Sequence, residues 1–96
     1  MMAKKHEIEY RTILGVCDKE HIGKTFEEGN ICFTASPKFY AGEEITPEDL
    51  EKLLDEAESI NLFGNKCVEI AIKKGIVSEK SVILIKGIKH AQVYTL

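Results

Sequence analysis

The 96-residue chain has no tryptophan, only two prolines and three cysteines, and no long apolar run. Each shortage excludes something. A helix that crosses a bilayer needs roughly 20 consecutive apolar residues. No stretch approaches that length, so no membrane partner is expected. Cys17, Cys32 and Cys67 are odd in number and widely spaced, whereas a small secreted domain stapled by disulfides carries a denser, even set. The thiols are expected to be reduced, buried and inert. Residues 1–9 contain two lysines with no apolar run behind them, unlike a secretory leader. A cytoplasmic location follows as the expectation. There is no internal repeat, linker or low-complexity segment, and the length suits one domain. The expectation is a single domain over 1–96, with residues 1–6 a loose tail.

What is present is an ordinary globular composition, 44% hydrophobic and 30% charged. That is too apolar for a disordered chain. The net charge of −3 conceals an asymmetry. Residues 1–42 balance six bases against six acids. Residues 43–64 carry eight acids against Lys52 alone, and residues 65–96 carry six lysines against Glu69 and Glu79. Net acidity argues against strong nonspecific nucleic-acid binding but leaves room for a local basic face.

Apolar residues alternate with charged ones from Ile8 to Val16, which predicts a strand with one buried face. Asp18–Gly23 reads as a turn or short helix, Lys24–Glu27 as a short strand, and Glu28-Gly29-Asn30 as a turn. A further strand runs through Ile31, Phe33 and Ala35, and Pro37 marks its end. Thr46-Pro47-Glu48-Asp49 is a strong helix start: a hydroxyl for an orphan amide, a proline that has no amide to satisfy, and acids at the positive end of the dipole. Leu50, Leu53, Leu54 and Ala57 give that helix an apolar stripe. A second helix is predicted within 61–74, ending at Gly75. Val82–Ile85 is continuously apolar, as in a central strand covered on both faces. A last strand alternates through Ala91, Val93 and Thr95. The expected class is α+β: a single small domain with a mixed or antiparallel sheet and two helices inserted between N-terminal and C-terminal strands, in the order β-β-β-α-α-β-β, both helices on one face.

Each chemical motif has a plainer competitor. Gly23-Lys24-Thr25 matches the end of a phosphate-binding loop, but the glycine required five residues earlier is Asp18, which would repel phosphate. A turn leading into a strand is the better reading. Cys17 and His21 are four residues apart, yet zinc sites usually take four ligands and often a close cysteine pair. No metal site and no cofactor are therefore expected. A Cys67–His90 nucleophile pair would need contact and an activated thiol, so Cys67 is read as a small core residue and no catalytic residue is assigned. The acids of 43–58 fit a solvated helix face, and the helix 47–59 could alternatively dock a basic protein partner. Lys66, Lys73, Lys74, Lys86 and Lys89 could form one basic patch if the second helix and the last hairpin are neighbours. Such a patch positions nucleic acid without reading its sequence.

Several strings resemble, in their order and spacing, a small archaeal family known as domain of unknown function 424. They are Asp18 through Gly29, Phe39-Tyr40-Ala41-Gly42-Glu43, Asn61-Leu62-Phe63-Gly64, and Gly87-Ile88-Lys89-His90-Ala91-Gln92. The resemblance runs from about Tyr10 to Leu96. It implies a stand-alone protein of about 100 residues in an archaeal cytoplasm. It brings no established activity, cofactor or catalytic residue to carry over. A second glycine is expected near Ala41 and is missing. The same strings set polar residues beside glycines, so Lys24, Asn61, His90 and Gln92 could line a small polar pocket if they converge.

Three functions compete. The leading one is a non-enzymatic module that binds RNA or an RNA–protein assembly, translation-related assemblies included, through the basic C-terminal third. The second is a small enzyme or ligand binder built around His90 and Gln92. The third is an adaptor that uses the acidic helix 47–59.

Overall fold

A computed structural model describes residues 1–94. Those residues form eight strands, three short α-helices and two 3-10 turns, the second at Glu79–Ser81. β1 (Met2–Ile8) and β2 (Arg11–Cys17) form an antiparallel hairpin, and a single 3-10 turn over Lys19–His21 follows. β3 (Thr25–Glu28) and β4 (Ile31–Thr34) form a second, separate hairpin. Then come α1 (Pro37–Tyr40), β5 (Glu43–Glu44), α2 (Pro47–Glu56), β6 (Ser59–Phe63), α3 (Asn65–Lys73), β7 (Ile83–Ile85) and β8 (Ile88–Tyr94). Six strands make one sheet in the order β5-β1-β2-β6-β8-β7. Among the described residues only the central β2–β6 pair is parallel, so the sheet is mixed and the α+β class holds. No helix among the described residues is long and apolar enough to cross a membrane.

Strand alternation divides the core into two. One face presents Leu14 and Val16 of β2, Ile60 and Leu62 of β6 and Ala91 of β8 to α2 (Leu50, Leu54) and α3 (Val68, Ala71). Each fully buried leucine or valine there contributes about 1.5–3 kcal/mol. The other face presents Cys17 and Phe63, covered by Phe26 and Phe33 of the β3–β4 hairpin and by Tyr40 of α1. Phe39 anchors α1 to β1 by stacking on His6 at 4.6 Å between ring centroids, and its carbonyl lies 2.8 Å from His6 Nε2.

The start of α2 agrees with the sequence. Thr46 Oγ1 accepts from the Asp49 amide and Asp49 Oδ2 accepts from the Thr46 amide, both at 3.1 Å, a reciprocal capping box. That bond from the Thr46 amide holds the Asp49 carboxyl below its ordinary pKa.

Other expectations are corrected. Residues 1–6 are not a loose tail, because Met2–Ile8 pairs with β2 on one side and β5 on the other. The strand read from Ile8 to Val16 is broken by a two-residue turn in which Glu9 has φ 57°. Alternation runs across the bend because Ile8 and Tyr10 are both exposed. The acidic helix stops at Glu56 rather than 59, since Ala57 is already extended. The helix expected within 61–74 is present as Asn65–Lys73, but Ser59–Phe63 ahead of it is a buried strand at the middle of the sheet that the expected order lacks. It separates the two main helices, so they are not consecutive. Val82–Ile85 does not supply a central strand: β7 lies at the sheet edge, with Ile83 55% and Leu84 58% exposed. Pro37 ends β4 but also opens the short α1, at a position where a helix needs no amide. Thr95, expected in the last strand, lies outside the described residues. The missing second glycine costs nothing, because Ala41 has φ −86°. The tight approach falls at Gly42, where a Cβ would meet the Ala3 carbonyl.

Asp18 ties the two halves together. It is 2% exposed, and its side chain does not cap the turn that follows it. Its carboxylate accepts from the Lys66 amide at 2.9 Å and the Cys67 amide at 3.1 Å, at the first turn of α3. Its own amide donates to the Phe63 carbonyl at 3.0 Å. Gly64, with φ 131°, leaves the space in which that carboxylate sits. Asp18→Ala is therefore expected to lower stability by about 2–4 kcal/mol in urea denaturation, with Asp18→Asn intermediate because it keeps one acceptor. A loss below about 0.5 kcal/mol for Asp18→Ala would contradict this role.

Candidate functional site

The part of the second sheet face that the β3–β4 hairpin and α1 leave open lies over β6 and β8. In the antiparallel register Asn61 stands opposite Gln92, Phe63 opposite His90, and Ser59 opposite Tyr94. Alternation puts His90, Gln92 and Tyr94 on one face of β8, with Asn61 beside them on β6. The sheet thus brings together Asn61, His90 and Gln92, three of the four residues expected to form a polar pocket. Lys24 does not join them: it is exposed at the start of β3 and makes no side-chain hydrogen bond or ion pair among the described residues.

Two residues that the sequence reading passed over complete the cluster. Tyr40 donates its hydroxyl to Asn61 Oδ1 at 2.5 Å. Tyr94, 71% exposed, donates its hydroxyl to Gln92 Oε1 at 3.2 Å. His90 Nε2 lies 3.3 Å from the same Asn61 oxygen, and its ring packs at 5.0 Å from Phe33 and 5.9 Å from Phe63. Signals for both tyrosines were present: Tyr40 lies inside a family-like string, and Tyr94 continues the alternation of His90 and Gln92.

Burial lowers the His90 pKa below its ordinary value and raises that of Tyr40. The imidazole is therefore neutral near pH 7. The phenol donates to the Asn61 oxygen, and the imidazole donates to it as well when its proton is on Nε2. The Asn61 amide nitrogen has no partner among the described residues and is not sealed from solvent. The Gln92 amide nitrogen is likewise free. The cluster thus sets two carboxamides beside an exposed phenol, groups that can each donate or accept.

The cysteines do not converge. Cys32 is exposed on β4, Cys17 is buried under the hairpin, and Cys67 is buried between α3 and the sheet. Burial, with Asp18 nearby, pushes the Cys17 thiol up to about 12 and raises Cys67 strongly, so neither is an activated nucleophile. Cys67 and His90 lie on opposite faces of the sheet. Among the described residues Asp18, Glu20 and His21 come within 4.8 Å of one another, but both Asp18 oxygens already hold α3 amides.

The second helix and the last hairpin are neighbours, as the five-lysine patch requires, since Asn65 Oδ1 accepts from the Lys89 amide, but two of the five lysines are ion-paired. Lys74 pairs with Asp55 at 3.1 Å and Lys89 pairs with Glu69. Lys66 lies at the start of α3, Lys73 at its end, and Lys86 on the β7–β8 turn; these three are exposed and have no ion-pair partner among the described residues. On α2, Glu56 pairs with Lys5 at 3.7 Å and Asp55 with Lys74. Away from the cluster, a concavity of about 400 Å³ lies between β1, β5 and α2, lined by Leu14, Ile45 and Leu53 among others.

The fold is shared with a solved structure, the crystal structure of an uncharacterized conserved protein from Methanopyrus kandleri. The two superpose with a TM-score of 0.84 over 99% of this chain and 90% of that one, at 22% identity. The sequence also matches, over residues 6–96, the family described as protein of unknown function (DUF424), and the chain belongs to that family. No curated protein matches it.

The depressed His90 pKa has a defined effect on stability. The neutral ring is favoured in the folded state, so its contribution is complete above the ordinary histidine value of 6.5. It is lost as pH falls from there through the lower folded-state value, where the unfolded chain takes up the proton first. Denaturation at pH 7.5 and 5.5 should show a smaller decline for His90→Gln than for the parent chain. Equal declines would show that His90 titrates normally.

Proposed function

We propose that this protein is a non-enzymatic binding module that associates with RNA or an RNA–protein assembly in an archaeal cytoplasm. The observation that supports this most is the open strip on β6 and β8, where Tyr94, Gln92 and Asn61 offer a stackable ring and hydrogen-bond donors without an enclosed cleft. Single strands are held by surfaces of that kind, with rings for the bases and scattered positive charge for the backbone. Arg11, exposed on the same sheet face at the start of β2, and the exposed lysines Lys66, Lys73 and Lys86 are among the available cations. Cys17 and Cys67 are too deeply buried to act as nucleophiles, and the exposed Cys32 has no histidine partner among its hydrogen bonds.

With about three phosphates neutralised, the logarithm of the association constant should fall with the logarithm of salt concentration with a slope of about −2. Fluorescence anisotropy of a labelled single-stranded RNA from low to physiological salt measures that slope. Replacing Lys86 by Glu should weaken binding for every sequence alike and make the slope shallower. Binding that is indifferent to salt would exclude this function.

A further inference from the structure

Val82–Ile85 has the composition of a strand with neighbours on both sides, and the described sheet gives β7 one neighbour, β8. Ile83 on one face and Leu84 on the other are left 55% and 58% exposed. Apolar sheet edges template pairing with another chain, and proteins ordinarily blunt them with charge. The opposite edge is blunted in that way, since β5 consists of Glu43 and Glu44. β7 is not. Its backbone is also poised to pair. The Lys86-Gly87 turn sets Ile85 opposite Ile88, and the next pair is Leu84 with Lys89. Lys89 faces away from β7: its carbonyl accepts from the Gly64 amide and its amide donates to Asn65 Oδ1, both at 2.9 Å. By the alternation of an antiparallel ladder, Leu84 turns its own N–H and C=O to the open edge. The outward amides two residues to either side are already used. Val82 donates to the Glu79 carbonyl and Lys86 to the Glu28 carboxylate. The Leu84 amide is the one left facing out.

We propose that β7 pairs with β7 of a second copy of this chain, antiparallel and about a two-fold axis at Leu84. A free donor and acceptor on one residue are both satisfied when that residue meets itself, which fixes the register. Ile83 then lies opposite the partner's Ile85 on the aromatic face. On the helix face Leu84 lies beside the partner's Leu84, over a hollow of about 280 Å³ that Ile72 and Val82 help to line. Lys86 stands opposite the partner's Val82, and Glu79 lines the same hollow as Val82. Glu79 and Lys86 are exposed and have no ion-pair partner among the described residues. The pairing therefore brings each copy's lysine toward the other's glutamate, twice over, as an isologous contact requires. The axis runs normal to the sheet, so both open strips share one face of a continuous sheet of twelve strands, six from each copy. The pairing does not depend on the RNA-binding reading.

Sedimentation equilibrium of the full chain tests it, in a reductant that excludes a disulfide through the exposed Cys32. A short paired edge gives a weak dimer, with a dissociation constant on the order of 100 μM. The average mass should rise from 10.8 kDa toward twice that value as concentration passes through this range. Exchange of the Leu84 amide should slow over the same range, because its N–H gains a bond. Leu84→Lys puts a charge on the edge and should weaken association about tenfold. Glu79→Lys and Lys86→Glu should each weaken it about tenfold, and the double variant should restore it to within about threefold. A chain that stays monomeric at about 1 mM would overturn the proposal. So would a dimer in which Leu84 exchange is unchanged, or one in which the charge swap gives no rescue.

Discussion

The contact on which the rest depends is the carboxylate of Asp18 at the first turn of α3. A helix start carries orphan amides and the positive end of the dipole. It is most often capped by the residue immediately before it. Here that residue is a glycine, and the cap comes from a side chain 48 and 49 residues earlier in the chain. One buried anion thereby fixes α3 against the end of β2. The neighbouring amide of Asp18 fixes β6 beside it through Phe63. β6 in turn carries Asn61, which stands opposite Gln92 of β8, so the candidate site lies on a strand that Asp18 helps to hold in place.

The second constraint is the unequal covering of the sheet. The face toward α2 and α3 is closed by two helices with clear apolar stripes. The other is covered by a two-stranded hairpin, one helical turn and the 3-10 turn after β2, whose rings Phe26, Phe33, Phe39, Tyr40 and His21 fill the space. Such a cover is too small to reach across all six strands. The uncovered part falls over β6 and β8, and that is why a central strand can carry a half-exposed Asn61. The same incompleteness leaves His90 between Phe33 and open sheet, buried enough for its proton to be disfavoured and open enough to border a surface.

Much of this was readable from residues alone where a local rule and the tertiary structure agree. The capping box at Thr46, the Asn30 turn, and the hairpin ending at the Lys86-Gly87 turn, where both residues take positive φ, are local devices. The failures are of one kind. Ser59–Phe63 is a strand because β2 and β8 flank it, and five residues preceding a helix carry too short a pattern to separate the two states. Ile83 and Leu84 have the composition of a central strand, yet nothing in the run itself records that β8 lies on only one side. Glu9 turns the chain without glycine, asparagine or proline to mark the bend. For the site, Asn61, His90 and Gln92 were picked out as polar residues near glycines and the sheet does unite them. Lys24 was picked out for the same reason and stands elsewhere, because proximity to a glycine says nothing about which layer a strand joins. The lysines of the C-terminal third were counted as charge, and the partners that neutralise Lys74 and Lys89 become visible only when α2 and α3 are placed.

The single parallel pairing, β2 with β6, also orders events in time. Antiparallel neighbours such as β1 and β2 close across a two-residue turn, and their chain entropy cost is small. β2 and β6 must instead wait for the hairpin, α1, β5 and α2 to be made between them, and long-range closures of that kind slow the search for the native state. During synthesis from the N-terminus, the first hairpin emerges with the growing edge of β2 unpaired and with Asp18 still hydrated.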